Sequence, residues 1–257
     1  MFFIAILLFI GIEAELRFGG RVARLKRLLV ILCLGHRMVD GILAVVAHPD
    51  DETLGCGGTL ALHASRGQSV DILCLTCDPP ERRGELLKAS EALSVGEPII
   101  FEDKEVALCT KLTKEISGII VERRPRLVVT HLPFDYHREH RLAYKAVKES
   151  IEWAAHTTAY KRPWVIGRLL LMEVNTLIPS PHVFVDVTGS FEKKMEALGC
   201  YRSQLAKLPW GYYERLSLKK AELRGAQADC GYAEAFLEEP LAKGSPFYEA
   251  KRTDNIL

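Results

Sequence analysis

Two stretches of this chain gather residue types and spacings that suit a shared chemical site. The first is His48-Pro49-Asp50-Asp51-Glu52, and the second runs from His131 through Asp135, His137 and Glu139 to His140. A proline after His48 biases its backbone toward extended conformations. Two residues separate His48 from Asp51, so a tight turn can aim both at one ion. Asp50 and Asp51 are adjacent like charges, costly to keep ionised together in a cleft without a cation. His137 and His140 stand three apart at an expected helix start and can face one side. Imidazole and carboxylate donors without a thiolate suit zinc or a similar divalent ion. Three protein ligands plus a water would leave the open position of a hydrolytic site. Each stretch alone has a plainer reading. His-Pro-Asp-Asp can be a helix N-terminus capped by Asp50 or Asp51, and His-x-x-His is usually a solvated helix face.

The elements that must position these residues favour the joint reading. Ile42 to Ala47 is a continuous apolar run of strand length, as expected of a strand buried on both faces. Further strands are expected at Val70 to Leu75, Pro98 to Phe101, Leu127 to Thr130, Leu169 to Val174 and Val183 to Val187. Helices are expected at Thr59 to Ser65, Arg83 to Leu93, Leu112 to Glu122, residues 139–155, and near 190–205 and 215–228. This alternation argues for a parallel sheet covered on both sides. Such sheets place ligands at the carboxyl ends of their strands. The two histidine and aspartate stretches follow the first and fourth strands, where the topology can bring them together.

With 48% hydrophobic and 26% charged residues the composition is that of a soluble globular protein, and 257 residues suffice for one α/β domain. A net charge of +1 gives no reason to expect a nucleic acid partner. Seven cysteines without a small-scaffold spacing do not read as a disulfide framework, which points to a reduced, cytoplasmic protein. The amino end departs from this uniformity. Phe2 to Ile12 is an apolar run, and Leu16 to Val39 holds six basic residues and no acidic ones. Val22, Leu25, Leu29 and Leu32 recur at helical spacing, so residues 16–34 fit a basic amphipathic helix. Residues 2–34 could then lie on an anionic membrane surface as a peripheral contact. The plainer expectation is an extension, residues 1–37, ahead of a domain spanning 38–257.

Several motifs carry less than they promise. Gly55-Cys56-Gly57-Gly58 fails the dinucleotide-binding frame because Leu60 stands at the third glycine position. These glycines are expected to let the chain turn beside the metal. A serine-hydrolase elbow, G-x-S-x-G, is absent from the sequence. Cys74-x-x-Cys77 lies in and after an expected buried strand, so structural cysteines are favoured. Trp210, Tyr212 and Tyr213 form an aromatic loop for which ordinary packing is the default and sugar stacking the sharper alternative.

The run AVVAHPDDETLGCGGTLALHASRG resembles the signature of the PIG-L and LmbE-like zinc N-deacetylases. HLPFDYHREHRLAYKAV resembles that family's second motif, and FVDVTGSFEKKMEALGCYRSQ and RGAQADCGYAEAF extend the likeness to about Phe236. The resemblance implies metal ligands at His48, Asp51 and His140, with zinc, or another divalent ion, as cofactor. It implies Asp50 as general base toward the attacking water; an exposed aspartate would need no upward tuning for that. His137 would face the negative charge that builds on the carbonyl oxygen or protonate the leaving amine, and the choice of general acid between Asp50 and His137 stays open. Glu52 is expected to orient a neighbour or cap the following helix. Arg82 falls where the family carries a substrate-contacting arginine, with a solvated helix start as the alternative. Glu105 stands where relatives carry an aspartate in a sugar-contacting loop, which puts that contact in doubt. His182 follows a loop before a strand and is a further candidate pocket residue.

The expectation is therefore an α/β, Rossmann-like three-layer fold with a mostly parallel sheet. It would act on an N-acetylated amino sugar or glycoconjugate by removing acetyl. The alternatives are metal-dependent cleavage of another amide or an ester, and a non-catalytic carbohydrate-binding module. A homo-oligomer is left open.

Overall fold

The computed structural model describes residues 41–241. The amino-terminal stretch of residues 1–37, with its basic helix expectation and the boundary at Met38, lies outside the described residues. Strand β1 (Ile42–Val46) is buried along its whole length. Its side chains alternate between two cores. Ile42, Ala44 and Val46 enter one with Ile72, Cys74 and Met172. Leu43 and Val45 enter the other with Val128 and Leu171. The period-2 geometry of a strand makes an unbroken apolar run the signature of burial on both faces.

The remaining elements follow in order: α1 (Asp51–Ser65), β2 (Val70–Cys74), α2 (Glu81–Ala92), β3 (Ile99–Ile100), α3 (Thr110–Arg123), β4 (Leu127–His131), α4 (Arg138–Ala154), β5 (Arg168–Met172), β6 (Val183–Asp186), α5 (Phe191–Gly199), α6 (Arg202–Leu205), α7 (Tyr212–Ala228) and β7 (Ala233–Glu239). Helices α1, α2 and α5 cover one face of the sheet, and α3 and α4 cover the other. Three layers result. The sheet order is β3-β2-β1-β4-β5-β7-β6. The first five of these strands run parallel, while β7 runs antiparallel to β5 and to β6. The chain leaves β1 toward β2 and β3 on one side and returns to β4 on the other, so the carboxyl ends of β1 and β4 flank a topological switch point.

Three expectations are corrected. Helix α1 begins at Asp51 rather than Thr59 and takes in the glycine run. Those glycines therefore do not make a turn; they allow close approach. A Cβ on Gly58 would lie 2.8 Å from Val187 Cβ, and one on Gly55 would lie 2.5 Å from Met172 Sδ. Strand β7 was not expected at all, because three of its seven residues are glutamates. Trp210 is 84% exposed, so ordinary core packing does not describe it. Cys74 is buried inside β2 as expected, and no disulfide joins the described cysteines. Among the described residues no helix is long and apolar enough to cross a membrane.

Candidate metal centre

The ends of β1 and β4 are tied before any functional side chain is placed. The Thr130 hydroxyl donates to Val45 O (2.8 Å) and the Thr76 hydroxyl to Ala47 O (2.8 Å). Ala47 N–H donates to His131 Nε2 at 2.9 Å, joining the two strand ends. On this platform a single buried carboxylate, Asp51, collects its neighbours. Its Oδ2 accepts the His48 backbone N–H (2.8 Å) and lies 3.3 Å from His48 Nδ1 and 3.5 Å from His131 Nε2. Its Oδ1 lies 3.1 Å from His140 Nε2.

Outer carboxylates orient two of these rings. Asp135 Oδ1 sits 3.3 Å from His140 Nδ1 and also accepts the His137 backbone N–H at 2.9 Å. Glu139 Oε2 sits 2.9 Å from His48 Nε2 and accepts the Val106 backbone N–H at 3.3 Å. Each histidine thus turns one nitrogen to a carboxylate and the other to Asp51, the arrangement that fixes a metal-ligating imidazole. His137 closes the group, its ring centroid 4.7 Å from that of His140 and 5.0 Å from that of His48. Its Nδ1 is buried without a partner. Two overlapping triads could each hold a metal ion: His48, His137 and His140, and Asp51, His131 and His140.

The electrostatics follow from this packing. Burial alone would push Asp51 up, but the charges of His140 and His131 reverse it, and its carboxyl titrates well below the usual range. Burial opposes a proton on His140, yet Asp51 and Asp135 outweigh it and raise its pKa to about 10. Burial, then the neighbouring His140, pushes His131 well down. His137 is also pushed down, by burial and then by His140 and His48. Asp50 is buried, 7% exposed, rather than open to solvent. Burial first, and then the charge of Asp51, drives its carboxyl well above its ordinary value, against the pull of Arg82.

Helix α1 that carries Asp51 is two half-helices joined at Cys56 (φ −147°, ψ 16°). The kink exposes backbone groups inside the protein, and buried ions meet them. Glu234 accepts the N–H groups of Gly58 (2.9 Å) and Thr59 (2.7 Å), like a cap supplied from a distant strand. Lys194 Nζ pairs with Glu234 at 2.6 Å. Lys194 and Lys220 also donate to Leu54 O at 3.3 and 3.1 Å.

The other residues named from sequence fall less closely together. Arg82 is buried at the site and is no solvated helix start; its Nη2 donates to Asp50 Oδ1 at 3.1 Å and to Pro49 O. Glu105 is exposed and lines a small surface cleft with Asp103, Lys111 and Glu115. His182 is exposed before the edge strand β6, where its Nδ1 accepts the Glu238 N–H at 3.2 Å. Neither Asp50 nor Asp51 caps α1 with its side chain. Sequence reasoning left His131 without a role, although it ends the apolar run of β4, the position where a strand delivers a side chain to the switch point. It also gave no site role to Tyr201, whose hydroxyl donates to Glu52 Oε1 at 2.5 Å.

Comparison with known proteins adds to this geometry. The family description PIG-L, GlcNAc-PI de-N-acetylase, matches residues 43–151, which include both motifs. The chain is 26% identical over 185 residues to a probable N-acetyl-alpha-D-glucosaminyl L-malate deacetylase 2 of Bacillus cereus, covering 63% of this chain and 83% of that protein. It is 26% identical over 219 residues to the diacetylchitobiose deacetylase of Thermococcus kodakarensis, covering 76% and 82%. It is also 25% identical over 219 residues to a 4-oxalmesaconate hydratase of Pseudomonas putida, covering 72% and 80%. Among solved structures, a conserved protein of Thermus thermophilus superposes with a TM-score of 0.73 at 28% identity, covering 83% of this chain and all of that one.

Proposed function

We propose that this chain, which matches the PIG-L family description over residues 43–151, is a zinc-dependent hydrolase removing acetyl from an N-acetylated amino sugar or its conjugate. The observation that carries the proposal is the buried Asp51 carboxylate with His48 and His140 turned onto it by Glu139 and Asp135. The donor set is nitrogen and oxygen without thiolate, which suits zinc. His48 and His140, with Asp51, would hold the ion. His131 is set aside because its Nε2 lone pair already accepts the Ala47 amide. When bound, zinc acidifies water and polarises the amide carbonyl.

The chain's own groups supply the rest. Asp50 takes the proton of the attacking water. Once protonated, its carboxyl passes that proton to the leaving amine. Acetate and a free amine result. His137 is pushed toward its neutral form, so it meets the growing charge on the carbonyl oxygen as an N–H donor rather than as a cation. Arg82 serves by holding Asp50. Tyr213, in the first turn of α7, lies near enough to feel the site: after burial, Asp50 raises its hydroxyl. Trp210 and Tyr212 offer exposed rings to a sugar face.

The named deacetylase relatives share an N-acetylated glucosamine unit and differ in what it is joined to. The test is acetate release from a panel of N-acetylglucosamine conjugates: malate, inositol, phosphatidylinositol and chitooligosaccharide. Release from at least one is expected, with zinc required. The hydratase relative favours a second reading, water addition by the same base. Turnover of 4-oxalmesaconate with no acetate from any conjugate would select it.

A further inference from the structure

Asp50 holds an unusual backbone, φ 112° and ψ −28°. An L-residue there is strained and persists only where its surroundings enforce it. The Leu54 N–H holds the Asp50 carbonyl at 2.9 Å, and Glu52 holds the Asp50 amide. Its Oε2 accepts the Asp50 N–H at 3.1 Å. Its Oε1 accepts two hydroxyls, Thr53 Oγ1 at 2.5 Å and Tyr201 at 2.5 Å. Glu52 and Tyr201 are both completely buried. No cation pairs with Glu52 among the described residues, and it is in neither triad suited to a metal. A carboxylate kept in that setting is expensive unless its hydrogen bonds are well made. Tyr201 comes from 149 residues away. Its backbone is locked at the corner between α5 and α6, where its N–H donates to Leu198 O and its carbonyl accepts the amides of Gln204 and Leu205.

We infer that Tyr201 is a positioning residue for the reaction: through Glu52 its hydroxyl holds Asp50 in the left-handed backbone that aims the Asp50 carboxylate, without touching substrate or the metal-holding groups. This rests on the reading of Asp50 as the base. Thr53 is a neighbour of Glu52 and travels with it, whereas Tyr201 refers Glu52 to a separate, rigid element.

The test is Tyr201→Phe in the full, zinc-loaded chain, which removes one hydroxyl and keeps the ring. Metal content and KM should be unchanged, while kcat falls about tenfold, the worth of one hydrogen bond to a carboxylate. In an Asp50→Asn background the same change should alter the residual rate less than about twofold. Independently of activity, the Asp50 amide proton, seen by selective 15N-aspartate labelling, should move upfield in Tyr201→Phe while that of Asp51 stays. Equal fold-losses in both backgrounds, an unchanged kcat, loss of metal or an unmoved Asp50 amide would each overturn the inference. Should Tyr201→Phe fail to fold, Glu52→Gln is read by the same measures. A wild-type chain that releases no acetate sinks the deacetylase reading instead, and the amide shift still decides the positioning.

Discussion

Glu234→Gln offers a demanding check on how the kinked helix α1 is held. Glu234 carries three bonds in the wild type: to Gly58 N–H, to Thr59 N–H and to the Lys194 ammonium. Glutamine keeps the shape and one carbonyl acceptor, but its amide nitrogen cannot accept from a backbone N–H. One helical amide is orphaned, and Lys194, 1% exposed along its side chain, loses its counter-charge. Removing one partner of a buried pair typically costs 3–5 kcal/mol. For a chain of this size each kcal/mol shifts Tm by about 2–4 °C, so a fall of roughly 6–20 °C is expected. Unfolding is followed by circular dichroism on the metal-free protein. Lys194→Met in the Glu234→Gln background should recover part of the loss, because it removes the stranded charge. A Glu234→Gln protein within about 1 kcal/mol of wild type would refute the reasoning. So would a double variant less stable than the sum of the two singles.

Other outcomes follow from the same contacts. Asp50→Asn should keep the metal and lower turnover about 10²- to 10⁴-fold, as general-base loss does; near wild-type turnover would remove Asp50 from that role. His140, raised to about 10 from 6.5, stabilises the metal-free fold fully below pH 6.5, and that contribution is lost as pH rises through 10. Lys220, pushed down to about 7 mainly by burial, acts in the opposite direction over an overlapping window. Because Lys220 is common to both forms, the zinc-loaded minus metal-free stability should grow from pH 6.5 to 10, and a flat difference would contradict the His140 assignment. A chain shortened to begin at Met38 should fold, bind zinc and hydrolyse a soluble substrate, as every proposed site residue lies beyond it; aggregation or lost metal would show that the preceding residues belong to the core.

The central sheet was legible because burial on both faces leaves an unbroken apolar run, as in β1. Strand β7 was not, because Glu234 is buried there by partners 40 and 176 positions away that no local pattern reveals. Helix α1 was shortened in the sequence reading because glycine ordinarily breaks helices; the requirement for Gly58 against Val187 is a packing fact, visible only once the chain after β6 meets α1. The donor residues were legible from type and spacing, since they follow two strands that a parallel sheet sets side by side. Their outer carboxylates were quoted within the motif, but what they do depends on which nitrogen each meets. Burial of Asp50 was missed for a related reason: Arg82 covers it from a helix 32 residues on.

Elemental analysis of purified protein, wild type beside His140→Ala, tests the metal centre most directly. The expected result is about one zinc per wild-type chain, and a folded His140→Ala protein that has lost metal and acetate release together. Full zinc occupancy in His140→Ala, or a wild-type chain that releases acetate with no bound metal, would contradict it.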